Sequence, residues 1–161
     1  IIADKTLYYK YINSGGNVYE DLRRFGPCGF SIEIVTYKVF NQKGHEVTDL
    51  GTHVTDSCDY PDYAHAVAAK VLSDPDSKGI LTCGSGIGIS IAANRHPGIR
   101  AALCHNSLEA TLSRKHNNAN ILVLGGRIIG EVLAEDIADK FFSTDFEGGR
   151  HQNRIEKIKI K

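Results

Sequence analysis

Gly79-Ile80-Leu81-Thr82-Cys83-Gly84-Ser85-Gly86-Ile87-Gly88-Ile89-Ser90-Ile91-Ala92-Ala93-Asn94 joins an apolar run, a cysteine, a glycine-rich turn and a helix start within sixteen residues. A short apolar run that opens on glycine and ends in a turn reads as a buried strand over 79–83. Gly84, Gly86 and Gly88 alternate with Ser85 and Ile87. That spacing lets the backbone take positive φ and approach a ligand closely, while amides gather at the N-terminus of a helix predicted over 87–94. Cys83 stands at the lip of this turn, where the positive end of a helix favours thiolate over thiol. The segment therefore reads as a base beside an oxyanion pocket. It is not a common nucleotide loop, because it lacks both a terminal Gly-Lys-Ser/Thr and the G-x-G-x-x-G spacing. On this motif alone, a plain strand-to-helix turn with a buried cysteine remains an open alternative.

Working outward, further strands are expected over 44–51, 98–104 and 120–125, and three of the four runs are nearly continuous in apolar residues. Such strands are buried on both faces, as in a parallel sheet. Helices are expected over 30–42, 61–72, 87–94, 107–115 and 131–142, several opened by Pro, Ser or Gly. This alternation predicts an α/β fold, a doubly wound and mostly parallel sheet with helices on both faces, of the Rossmann-like sandwich kind. Ligands in such folds bind beyond the carboxyl ends of the strands, where the Cys83 loop falls. Residues 1–29 break the rhythm. Ile1-Ile2-Ala3 could open a strand, but the tyrosine- and charge-rich stretch that follows carries no period, and no element is assigned to it.

A chain of 161 residues suits one well-buried core, so residues 1–161 are expected to form a single domain with an atypical segment over 1–29. Nineteen basic residues balance nineteen acidic ones, which removes any overall field toward nucleic acid or an anionic membrane. No apolar stretch approaches a bilayer-spanning length, and no signal-peptide order is present at the start, so a cytoplasmic location is expected. Cys28, Cys58, Cys83 and Cys104 show no C-x-x-C pair and no histidine at a zinc-finger interval. Reduced thiols and no bound metal are expected.

Five blocks, in order, carry a resemblance. They are Asp-Tyr-Pro-Asp-Tyr-Ala over 59–64, Cys-Gly-Ser-Gly-Ile-Gly-Ile-Ser-Ile-Ala-Ala-Asn over 83–94 and Pro-Gly-Ile-Arg-Ala-Ala-Leu-Cys over 97–104, followed by Leu-Ser-Arg-Lys-His-Asn-Asn-Ala-Asn over 112–120 and Phe-Glu-Gly-Gly-Arg-His-Gln-Asn-Arg over 146–154. Together they resemble the type B ribose-5-phosphate isomerases, whose relatives include the galactose-6-phosphate isomerase subunits. The likeness runs from about Phe30 to Lys159.

The resemblance implies interconversion of D-ribose 5-phosphate and D-ribulose 5-phosphate through a cis-enediolate, within the pentose phosphate pathway and with no metal or organic cofactor. It places Cys83 as the base that moves a proton between C2 and C1, and Ser85 as the hydroxyl that supports the base or the reacting oxygens. Backbone amides of Gly84, Gly86, Ile87 and Gly88 would hold the enediolate. His116 matches the residue assigned to opening the furanose ring, Asn117 a contact to sugar oxygens, Arg150 and Arg154 phosphate ligands, and Tyr60 the wall of the sugar pocket. Some members carry a glutamate base just after the last glycine; here Ile89 stands there, which leaves Cys83. A homodimer or dimer of dimers with shared active sites is also implied. Part of this is sound chemistry by itself. An amide donor aimed at a developing oxyanion is worth about 3 kcal/mol. Two arginines at i and i+4 on a helical turn can fork onto one phosphate.

Plainer rivals exist: Ser85 as a turn cap, Tyr60 as ordinary packing, His116 as a solvated loop histidine, and Arg150, His151 and Arg154 as an exposed basic tail. The family pattern also breaks at its first strand, where an aspartate and a histidine normally contact substrate; counting back from Gly29-Phe30 puts Gly26 and Pro27 there. Two alternatives therefore stand beside the pentose isomerase: an isomerase for a six-carbon aldose 6-phosphate of the allose or galactose type, and a catalytically silent sugar-phosphate-binding homologue.

Overall fold

The computed structural model describes residues 7–11, 47–50 and 59–158. The helix expected over 30–42, the Ile1-Ile2-Ala3 run, the Gly26-Pro27 pair, Cys28 and Cys58 lie outside the described residues. Among the described residues five strands form one parallel sheet: β1 (Leu7–Tyr11), β2 (Val47–Asp49), β3 (Lys78–Cys83), β4 (Ala101–Leu103) and β5 (Ile121–Gly125), in the order β2-β1-β3-β5-β4. The helices are α1 (Tyr60–Ser73), α2 (Ile87–Ala93), α3 (Ser107–Asn117), α4 (Glu131–Ser143) and α5 (Arg150–Ile158).

Period-two alternation in the central strands decides which helices cover which face. Ile80, Leu122 and Leu124 pack with Ala110, Ala134, Ile137 and Phe141, under α3 and α4. Leu81, Ile121 and Val123 point the other way and pack with Ala64, Val67, Ala93 and Ile89, under α1 and α2. Each fully buried Ile or Leu here contributes roughly 1.5–3 kcal/mol of apolar transfer. The α/β fold with helices on both faces is thus the one that the apolar runs dictate.

Two expectations need correction. The run over 98–104 is not buried on both faces: only Ala101–Leu103 is strand, and all three residues are half-buried, because among the described residues it pairs with β5 alone, at the edge of the sheet. The unassigned N-terminal stretch contains β1, which lies inside the sheet between β2 and β3. Leu-Tyr-Tyr-Lys-Tyr shows no alternation because nothing local requires it; its pairing with Val47–Asp49 on one side and with residues 78–82 on the other makes it a strand.

The chain leaves β1 for one side of the sheet and β3 for the other, so the carboxyl ends of these neighbours form a switch point of the kind that holds ligands in open α/β sheets. Cys83 is the last residue of β3.

Candidate active site

Cys83 is half-buried, and the Gly86 N–H donates to its Sγ at 3.2 Å. That contact depends on Gly86, which adopts φ 76 at the start of α2. A Cβ on Gly86 would stand 2.4 Å from Leu103 Cδ1 and 3.2 Å from the Leu124 carbonyl. The left-handed backbone costs a non-glycine residue about 1–2 kcal/mol, and overpacking against a fixed backbone adds roughly 1–3 kcal/mol. Gly86→Ala is therefore expected to lower stability by about 2–5 kcal/mol, read as a lower denaturant midpoint at unchanged slope. A midpoint equal to the parent's would refute this account of the turn.

The turn is closed by its own side chains. Ser85 Oγ accepts from the Ile87 N–H at 3.3 Å, so Ser85 does cap the turn. With the Gly86 N–H on sulfur, two of the amides expected to form one anion cradle are turned onto protein side chains. The neighbouring loop clasps this one: Gly126 and Arg127 N–H groups donate to the Cys83 and Gly84 carbonyls, each at 2.9 Å. A Cβ on Gly125 would stand 2.8 Å from the Ser85 carbonyl oxygen.

Two side chains approach the loop where glycine leaves room. A Cβ on Gly88 would lie 2.6 Å from the Tyr60 hydroxyl oxygen, so the Tyr60 ring rests on Gly88 and is brought to the site from the first turn of α1. A Cβ on Gly84 would lie 3.4 Å from Arg127 Nε. Arg127 is an exposed cation beside the thiol loop that sequence reasoning missed. Its signal was present: an arginine two residues past the end of the β5 run, at the same sheet edge.

His116 and Asn117 are elsewhere. They end α3, which runs back from the carboxyl end of β4 to the amino end of β5. Asn118 stops the helix at φ 46, its N–H donating to the Arg114 carbonyl, and the Arg114 guanidinium binds the Asn118 side chain and the Ala119 carbonyl. Asn120 then accepts from the Arg100 N–H at 2.8 Å and donates to the Gly98 carbonyl at 3.0 Å. The asparagines of this block shape the chain reversal that presents His116. Gly79 pairs with Ile121 at that edge, whereas Cys83 pairs with Gly125 at the other. Four residue steps of about 3.3 Å separate the two ends, roughly 13 Å. Within one chain Cys83 and His116 thus stand on opposite edges of the sheet.

Arg150 and Arg154 keep company with His116. The Glu147 N–H donates to the Lys115 carbonyl at 3.1 Å, which ties the start of α5 to the end of α3. The two arginines are exposed one turn apart, whereas His151 and Ile155 are buried on the other side of α5. The segment is thus not a free basic tail. His151 stacks on His116 with ring centroids 4.3 Å apart and planes at 5°. Burial, followed by the neighbouring His116, Arg150 and Arg154, holds the His151 imidazole below the usual histidine pKa, and Glu147 opposes the shift. Glu147 Oε2 lies 3.9 Å from His116 Nε2 and 3.8 Å from His151 Nε2, and Oε1 lies 3.3 Å from Lys115 Nζ. Glu147 and His151 stand four residues apart in the sequence, but only the tertiary fold brings them to His116.

The family model described as Ribose/Galactose Isomerase matches residues 28–158. Ribose-5-phosphate isomerase B of Escherichia coli is 48% identical over 126 residues, covering 78% of this chain and 83% of that protein. The structure of a ribose 5-phosphate isomerase from Thermotoga maritima superposes with a TM-score of 0.82 at 45% identity, covering 98% of both chains. That of ribose-5-phosphate isomerase B from Mycoplasma genitalium with bound ribulose-5-phosphate gives 0.82 at 34% identity, covering 98% of this chain and 95% of that one. Family model and relatives agree over the segment that holds the thiol loop and the His116 edge, and the chain belongs to the ribose/galactose isomerase family.

Proposed function

We propose that this chain interconverts D-ribose 5-phosphate and D-ribulose 5-phosphate, with Cys83 as the proton-transfer base. The observation that carries the reading is the half-buried thiol at the end of β3, with an amide aimed at its sulfur and with Tyr60 and Arg127 laid on the same loop. A thiolate accepts that amide bond more strongly than a thiol. In the open-chain aldose it removes the C2 proton, and the electron pair forms the C1=C2 bond while O1 gains the charge. After the proton on O2 passes to O1, the O2 lone pair re-forms a carbonyl at C2 and the thiol returns its proton to C1. C2 is oxidised, C1 is reduced, and nothing else is consumed. The Gly84 and Gly88 amides, with Ser85, face the developing oxyanion, and Arg127 adds a cation on the same side.

The remaining groups come from a second copy of the chain. His116 opens the furanose ring, Asn117 holds sugar oxygens, and Arg150 and Arg154 fork onto the phosphate of the site that the partner's Cys83 loop forms. The separation of these residues from Cys83 across the sheet supports this arrangement. So do the large apolar side chains left exposed, Leu108 and Leu112 on α3 and Val132 and Leu133 on α4, which suit burial against another subunit.

A coupled assay of purified protein with ribose 5-phosphate tests the activity, and no turnover would reject it. Alkylation tests the thiol. Burial, then the nearby Glu109 carboxylate, pushes the Cys104 pKa up to about 12, so Cys104 is expected to stay unmodified. Iodoacetamide should label Cys83 and abolish turnover, and substrate should slow both. Peptide mapping that finds Cys83 unlabelled in inactivated protein would count against the assignment.

A further inference from the structure

We propose that His116, Glu147 and His151 form a binding site for a divalent transition ion of the zinc class, and that an ion held there takes His116 away from ring opening. The site itself stands on geometry; the inhibition rests on the reading of His116 given above.

The three donors come from the end of α3, the segment before α5 and the first turn of α5. One ligand atom from each side chain lies within 4.8 Å of those of the other two. Because the two rings stack almost parallel, both Nε2 atoms sit beside one carboxylate oxygen. Tetrahedral zinc at roughly 2.0–2.1 Å needs neighbouring donors about 3.3 Å apart. The contraction needed is thus about 0.5–1.5 Å, and the parallel rings must tilt toward a common point. The exposures decide which groups move: the His116 and Glu147 side chains are 38% and 47% exposed and can turn, whereas His151 at 7% is fixed.

Two imidazoles and one carboxylate are a donor set for zinc, cobalt or nickel and not for magnesium or calcium, which require more oxygens. Lys115 and the two arginines of α5 oppose an added positive charge, so the ion is exchangeable and not part of the fold. A fourth position stays open to water. An ion that holds the His116 Nε2 lone pair leaves that nitrogen unable to exchange a proton with the sugar ring.

The test is equilibrium dialysis of the full-length protein with Zn²⁺ and visible absorption with Co²⁺, alongside activity. Expected are tight micromolar binding, cobalt bands without a thiolate charge-transfer feature, and unchanged binding in Cys83→Ala. Glu147→Gln, an exposed change, and His151→Gln should each weaken binding more than about tenfold. Turnover of the parent protein should fall along the same zinc curve and return with EDTA. Binding indifferent to both substitutions, or a thiolate band lost in Cys83→Ala, overturns the site. Full turnover by zinc-loaded protein overturns the inhibition. A metal-free protein that shows no isomerase activity rejects the functional reading alone, since dialysis judges the site without it.

Discussion

Cys83→Ala is expected to lower turnover of ribose 5-phosphate roughly 10³–10⁴-fold, with KM within about tenfold of the parent. A positioned acid–base group supplies roughly 10²–10⁴-fold, and the upper part of that range is expected because, among the described residues of the loop, Cys83 is the group proposed as base. The position just after the last glycine of the loop is Ile89, buried and without a titratable group. At about 1.4 kcal/mol per tenfold the loss amounts to about 4–5.5 kcal/mol of transition-state stabilisation. Binding is expected to be spared because the proposed site holds the phosphate through other residues, Arg150 and Arg154. Stability should hardly change, since the thiol is only half-buried and gives up one amide contact. Turnover within tenfold of the parent, in protein shown by mass spectrometry to carry the substitution, would remove Cys83 from the mechanism.

The second large effect is recovery by mixing. Cys83→Ala and Arg150→Ala proteins should each be nearly inactive, one without the base and the other without a phosphate ligand. In a hybrid dimer with shared sites, one site collects both lesions and the other is intact. Random reassortment makes half the dimers hybrid, and half of their sites work, so activity should return to roughly a quarter of the parent's. If Cys83 and Arg150 served one site within one chain, every hybrid site would carry one lesion and nothing would return. Native mass spectrometry establishes that hybrids have formed, and absence of recovery then rejects the shared site. The structure makes this the sharper experiment, because the two residues stand at opposite sheet edges and a monomer site would need both.

Much of the molecule was legible in the chain alone. β3 and β5 were readable because a strand buried on both faces must be apolar throughout, and the glycine turn because only glycine accepts the φ of Gly86. Those are local constraints, written in adjacent residues. β1 was not readable, because Leu7–Tyr11 owes its state to partners at Val47–Asp49 and at residues 78–82, which no short window contains.

The site divides in the same way. The thiol and its loop are contiguous, so their chemistry followed from spacing. Which side chains meet them did not: Tyr60 on Gly88 and Arg127 on Gly84 come from opposite sides of the loop in sequence and meet it only through helix packing and strand pairing. The distance from Cys83 to His116, and the joining of His116 to Glu147 and His151, are also tertiary results. A parallel sheet sends each strand's following helix back to the opposite edge, so a residue at the end of α3 is carried away from the end of β3 however near it stands in the chain. Residue chemistry was set by the sequence, and adjacency by strand order and handed crossovers.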